Sequence, residues 1–90
     1  KIILMNINEL IAIVKNKLET EIIIQDLIIE DKSFLHKGHK GHQEGRFHLK
    51  LTIKSDELAR SSKIISTKRV YSVLNLELKK NIHSIQILFN

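Results

Sequence analysis

The alternation of apolar and polar residues from Phe47 to Lys54 constrains the fold of this chain more than any other feature. Every second position is apolar, and these residues are Phe47, Leu49, Leu51 and Ile53. Successive side chains of a β-strand point to opposite faces of its sheet, so the pattern predicts a strand with one buried face. Such a strand needs neighbouring strands at its edges and a second layer over its apolar face.

Two other segments are typical of strands. The run from Ile22 to Ile29 is rich in β-branched residues, which favours an extended chain. The segment from Ile82 to Phe89 alternates apolar and polar residues, with His83 in the same parity as the apolar Ile85. We expect the first two strands to form a hairpin with a long connection that is rich in glycine.

Helical spacing predicts the covering layer. A first helix is expected over residues 6–18, because apolar residues recur there every three or four positions and Asn6 with Glu9 has the spacing of an N-terminal cap. Ser55 can cap a short helix, and after a break at Ser61 and Ser62 a longer helix follows, with an apolar stripe of Val70, Val73, Leu74 and Leu78. The predicted order is α-β-β-α-α-β, an α+β fold.

Length and composition exclude several classes of protein. Ninety residues suffice for one domain, which we place at residues 1–90 with a core of about 6–88. The chain has no cysteine, so histidine is its main candidate ligand for a transition metal. The longest apolar run, Leu10 to Val14, is too short for a membrane span or a signal peptide. We therefore expect a soluble, cytoplasmic protein that is not bound to a membrane.

Three histidines, His36, His39 and His42, lie three residues apart in a segment that also contains all three glycines. Neutral imidazole is a good ligand for zinc, copper or iron. The segment lacks the helical frame of a zincin site, and a solvated polar loop explains the same residues. From the residues alone, a metal site and a polar loop remain open interpretations.

Four blocks of the sequence resemble the BolA family in their order and spacing. Asp31 to His39 is similar to the family's D-x-S-x-x-H-A-G-H, and His48-Leu49 to its H-F strand start. The blocks from Val70 to Leu74 and from Ile82 to Ile85 resemble its V-Y-x-x-L helix and its I-H-A-L strand. The resemblance implies a type II KH-like fold, with helices packed on one face of a three-stranded mixed sheet whose last strand is parallel to the second.

The resemblance also implies a function. BolA-like proteins are partners of CGFS-type monothiol glutaredoxins, with which they share a [2Fe-2S] cluster that is also bound by a glutathione thiol. The family positions imply His83 as one ligand and His36 or His39 as the second, in a non-enzymatic adaptor of iron-sulfur cluster trafficking or iron regulation without a small-molecule substrate. His42 has no clear family counterpart. For His83 the competing interpretation is a buried structural histidine, and for His48 we expect exposure or a structural hydrogen bond.

The long helix carries the candidate partner surface. Tyr71, Lys68 and Arg69 are candidates for contact with the glutaredoxin, against ordinary packing for the tyrosine and solvation for the cations. The alternative function is a transcriptional regulator that binds DNA through the basic surface of a helix-turn-helix, using Lys63, Lys68 and Arg69. Against this alternative, residues 61–64 contain no glycine, whereas a KH domain binds the nucleotide backbone with a GXXG loop.

Overall fold

The computed structural model describes residues 6–33 and 47–90. Four helices and three strands occur in these two ranges: α1 (Ile7–Glu21), β1 (Asp26–Asp31), β2 (Phe47–Lys54), α2 (Asp56–Ala59), α3 (Lys63–Val73), α4 (Asn75–Lys80) and β3 (Ile82–Phe89). Within this part of the chain, no helix has the length and apolar character that crossing a membrane requires.

The sheet has the strand order β1-β2-β3, so β2 is central. β1 pairs with β2 in antiparallel orientation, with Leu27 opposite Ile53, which confirms the predicted hairpin. β3 pairs with β2 in parallel orientation, with Leu51 opposite Ile87. The predicted three-stranded mixed sheet is therefore confirmed.

The apolar face of β2 forms the centre of the core. Leu51 and Ile53 are fully buried and Leu49 is nearly so, as the alternation predicts. The helices cover this face with side chains that are buried in the same cluster: Leu10, Val14, Leu18, Leu58, Val70 and Leu74. Burial of each leucine stabilises the fold by about 1.5–3 kcal/mol relative to leaving it exposed.

The first helix is longer than the sequence predicts, and the first strand begins later. The Asn6 side chain accepts a hydrogen bond from the Glu9 backbone N–H at 2.8 Å, as the cap pattern indicates. The predicted end of the helix at residue 18 and start of the strand at Ile22 are wrong. The Ile22 N–H donates to the Leu18 carbonyl, so Ile22 closes the last helical turn, and its buried side chain joins the core.

The long helix predicted after Ser62 is two helices, α3 and α4, separated by Leu74. The Leu74 backbone leaves the helical region at φ −98° and ψ 16°, and its N–H is shared between the Ser72 and Val70 carbonyls. No glycine or proline marks this position. In α4, after this break, the Glu77 carboxylate is buried and lies 2.6 Å from the Lys17 ammonium of α1.

Candidate functional site: a histidine pair at the start of β2 and β3

An irregularity in the β2–β3 pairing determines where His83 lies. Phe47 is opposite Ile82, whereas the next residue, His48, is opposite Ser84, so β3 carries one extra residue at this point. A bulge of this kind redirects a side chain relative to the regular alternation of the strand. Ile82 is buried, His83 and Ser84 are both exposed, and burial resumes in part at Ile85.

The interpretation of His83 as a buried structural histidine is therefore wrong. The period-2 pattern places His83 on the core face with Ile85, but the bulge moves its side chain to the surface. His48 is the buried member of the pair, with 6% of its surface exposed. For His48 we expected either exposure or a structural hydrogen bond. Its burial excludes the first, and the hydrogen bonds described next agree with the second.

The two imidazoles are in direct contact. His83 Nδ1 lies 3.2 Å from His48 Nε2, and the ring centroids are 4.8 Å apart in an edge-on arrangement. The other ring nitrogen of His48, Nδ1, lies 2.5 Å from the Ser84 hydroxyl. Both nitrogens of the buried ring thus have hydrogen-bond partners, which fixes the orientation of the ring.

The backbone of His48 is anchored from the β1 side. The His48 N–H donates to Ser33 Oγ at 3.0 Å, and the His48 carbonyl accepts from the Lys32 N–H at 2.7 Å. Ser33 is itself held by a hydrogen bond from its N–H to the Asp31 carboxylate. Ser33, the last residue described before Phe47, therefore lies beside the backbone of His48.

The predicted ligands His36 and His39, and also His42, lie outside the described residues. Of the chain's five histidines, the structure describes only His48 and His83, whose rings are in contact. Within residues 6–33 and 47–90, no three histidine or carboxylate side chains are grouped closely enough to hold a metal ion. The described part of the chain thus presents one exposed imidazole, His83, supported by a second.

The candidate partner and DNA-binding residues of α3 differ in whether they are already engaged in contacts within the protein. Lys63 and Lys68 are exposed, and Tyr71 is 42% exposed, so the tyrosine does not serve only as packing. Arg69 forms an ion pair with the Glu57 carboxylate, and its Nη2 donates to the Glu21 carbonyl at 3.0 Å. Arg69 therefore ties α3 to α2 and α1.

Sequence reasoning missed the exposed apolar residues at the start of α3. Ile64 and Ile65 at the start of α3 are 69% and 57% exposed. Helical spacing predicts this exposure, since neither residue lies three or four positions before the buried Val70. Ser66 does lie four positions before Val70, and it is buried. The contact between His48 and His83 could not be read from the alternation, because the bulge interrupts it.

Comparison with known sequences gives one family. A family model described as BolA-like protein matches residues 18–89. The DNA-binding transcriptional regulator BolA of Haemophilus influenzae is 31% identical over 75 residues, which cover 83% of this chain and 70% of that protein. SufE-like protein 1, chloroplastic/mitochondrial, of Arabidopsis thaliana is 32% identical over 79 residues. That match covers 82% of this chain but 21% of the plant protein, so the chain spans about a fifth of that relative.

Solved structures agree with the sequence comparison. The BolA domain of SufE1 from Arabidopsis thaliana matches with a TM-score of 0.74 at 29% identity, over 96% of this chain and 93% of that one. BolA1 from the same plant matches with a TM-score of 0.75 at 28% identity, over 88% and 87% of the two chains. The fold described above is thus the fold of these proteins.

Proposed function

The chain belongs to the family of BolA-like proteins, and from this membership we propose that it is a non-enzymatic adaptor which binds a CGFS-type monothiol glutaredoxin. In this proposal the two proteins share a [2Fe-2S] cluster, to which the glutaredoxin and glutathione contribute thiolates and this chain contributes histidine. Its role is in the trafficking of iron-sulfur clusters or in iron regulation.

The exposed imidazole of His83 is the observation that carries the proposal. A ligand shared between two proteins must be accessible at the surface, and the bulge in β3 makes His83 accessible. A ligand must also be oriented, and His83 contacts the anchored ring of His48. Ligation by histidine in place of thiolate occurs in iron-sulfur proteins and raises the reduction potential of the cluster.

The donor set fits a shared cluster better than a metal site built by the described residues alone. Within residues 6–33 and 47–90, His83 has no further histidine or carboxylate arranged with the pair as a three-ligand site. The second ligand in the proposal is His36 or His39. Ser33 is hydrogen-bonded to the backbone of His48. Since three residues of extended chain span at most about 10 Å, the connectivity of the chain limits the distance between His36 and Ser33 to about that value.

The test is reconstitution with a partner. The chain is mixed with a CGFS-type glutaredoxin, glutathione, iron and sulfide, and visible absorption and circular dichroism are recorded for the wild type and for His83→Ala. We expect the spectrum of the mixed complex to be lost or altered in His83→Ala and retained in Gln86→Ala, which changes an exposed residue of the same strand. Equal spectra for wild type and His83→Ala would overturn the ligand assignment. His36→Ala and His39→Ala then identify the second ligand.

A second candidate function is DNA binding. The relative from Haemophilus influenzae is called a DNA-binding transcriptional regulator, and α3 exposes Lys63 and Lys68 without any acidic residue in its sequence. Phosphate contacts by lysines give binding that weakens steeply as salt increases. Sequence-selective binding at physiological salt that is abolished by Lys63→Ala and Lys68→Ala would rank this function above the adaptor.

The structure offers less support for this second function. Arg69 is engaged with Glu57 and with the end of α1, which leaves it less available to phosphate. The neighbouring exposed side chains, Ile64 and Ile65, are apolar and suit a protein partner better than a phosphate backbone. We therefore keep the adaptor as the proposed function.

A further inference from the structure

The contact between His48 and His83 determines which nitrogen of His83 can serve as a ligand. His83 Nδ1 and His48 Nε2 are 3.2 Å apart, a distance that corresponds to one hydrogen bond between the two rings. His83 Nδ1 is thereby occupied within the protein. The other nitrogen of the exposed ring, Nε2, is the one that remains to meet a metal ion.

Either ring can be the donor of this hydrogen bond. Only one of the two arrangements leaves a lone pair on His83 Nε2 for a metal ion. If His48 Nε2–H donates to His83 Nδ1, the neutral His83 ring carries its hydrogen on Nε2 and has no lone pair there. If His83 Nδ1–H donates to His48 Nε2, the lone pair is on His83 Nε2. Which nitrogen of a histidine is protonated is set by the hydrogen bond that the other nitrogen makes.

We propose that His48 is a positioning residue, which accepts a hydrogen bond from His83 Nδ1–H and so keeps the lone pair of His83 on Nε2 for iron. This inference rests on the proposed function of His83 as a ligand. The same polarity requires His48 Nδ1–H to donate to Ser84 Oγ, and the 2.5 Å separation of these two atoms permits it. Ser84 is exposed, so its hydroxyl hydrogen is directed elsewhere without an unsatisfied buried donor.

Burial and backbone anchoring suit His48 to this role. The residue is 6% exposed, and its backbone N–H and carbonyl form hydrogen bonds with Ser33 Oγ and the Lys32 N–H. A buried ring with fixed neighbours holds its partner in one orientation, whereas an exposed imidazole alone samples several rotamers. Residues that orient metal-ligating histidines in this way typically change metal affinity by about 10–100-fold when they are replaced.

The first measurement uses the chain alone. Long-range ¹⁵N–¹H correlation spectra of histidine-labelled protein in alkaline solution, where imidazoles are neutral, show which nitrogen carries hydrogen. We expect His83 of the wild type to carry it on Nδ1, although an imidazole free in water prefers Nε2. Hydrogen on His83 Nε2 in the wild type overturns the proposal, and this measurement needs neither the glutaredoxin nor a variant.

Two substitutions of His48 by amide residues then distinguish a role in orienting His83 from a role in filling the buried space. His48→Gln extends a carbonyl oxygen toward His83 Nδ1, whereas His48→Asn is shorter and reaches only toward Ser84. We expect His48→Gln to keep the Nδ1–H form of His83 and His48→Asn to lose it. Circular dichroism verifies that each variant is folded, and equal spectra of His83 in the two folded variants would contradict the proposal.

The reconstituted complex gives the second readout. With glutaredoxin and glutathione present, we expect the cluster to be lost to a chelator about 10–100-fold faster from the His48→Asn complex than from the wild type, with His48→Gln closer to the wild type. Equal rates for all three overturn the proposal. Failure of the wild type to hold any cluster refutes the proposed function itself, and is distinguished from failure of the positioning role by the spectra of the chain alone.

Discussion

The ion pair between Lys17 and Glu77 holds the helix that leads into β3, and its removal provides a quantitative test of the packing. Glu77 is 4% exposed, and its Oε2 lies 2.6 Å from Lys17 Nζ. Its Oε1 is buried without a hydrogen-bond partner among the described residues. Replacing Lys17 by methionine therefore leaves a buried carboxylate without its cation.

The expected cost lies between two limits. Breaking a fully buried pair costs about 3–5 kcal/mol, whereas an exposed pair contributes about 0–1 kcal/mol. The Lys17 side chain is 36% exposed while that of Glu77 is 5% exposed, so we expect Lys17→Met to lower the free energy of unfolding by about 2–3 kcal/mol. In a domain of this size the loss corresponds to a fall in Tm of about 10–20 °C.

Urea unfolding followed by far-UV circular dichroism measures this change. The matched control is Lys15→Met, at an exposed position of the same helix, which we expect to stay within about 0.5 kcal/mol of the wild type. The double variant Lys17→Met/Glu77→Leu removes both charges and should recover most of the loss. The reasoning is refuted if Lys17→Met is as stable as Lys15→Met, or if the double variant is less stable than Lys17→Met.

Three further outcomes are expected from the same unfolding measurement. Leu51→Ala, at a fully buried position of the central strand, should cost about 2–5 kcal/mol, and a loss below 1 kcal/mol would contradict its place in the core. Asn6→Ala removes the cap of α1 and should cost about 1 kcal/mol, whereas Asn6→Ser should retain most of the stability because serine also caps helices and adds no charge beside Glu9. Arg69→Ala breaks a partly exposed pair with Glu57 and should cost about 1 kcal/mol or less at low salt, with the difference from wild type diminishing as salt is added.

Local patterns were sufficient for most of the secondary structure. The alternation in Phe47–Lys54 and in Ile82–Phe89 gave both strands with their observed bounds. Local patterns were insufficient where tertiary contacts overrode the local preference for helix or strand. The β-branched residues after Glu21 favour a strand, but Ile22 is needed in the core and closes α1, while pairing with β2 begins only around Gln25, whose N–H donates to the Lys54 carbonyl. The break at Leu74 likewise has no local signal.

The family resemblance pointed to His83 as a candidate ligand, but the geometry around this residue was not predictable from the sequence. The parallel pairing that the resemblance implies for the last and second strands also brings His83 near His48, because each residue lies at the start of its strand. The exposure of His83, against the alternation, follows from one extra residue in β3, since a bulge shifts the side chains at and before it relative to the alternation. A bulge depends on how two strands separated in sequence meet, so the pattern of either strand alone does not contain it.

The parallel pairing of β2 with β3 also has a consequence for synthesis. His48 and His83 are separated by 35 positions, and three helices lie between their strands. During translation, a chain that has emerged only as far as α4 can form the β1–β2 hairpin but cannot yet bring the two rings together. Non-local pairings of this kind form late and slowly. The contact between His48 and His83 therefore forms only when β3 has paired with β2. A nascent chain on the ribosome would not present His83 in contact with His48 before that point.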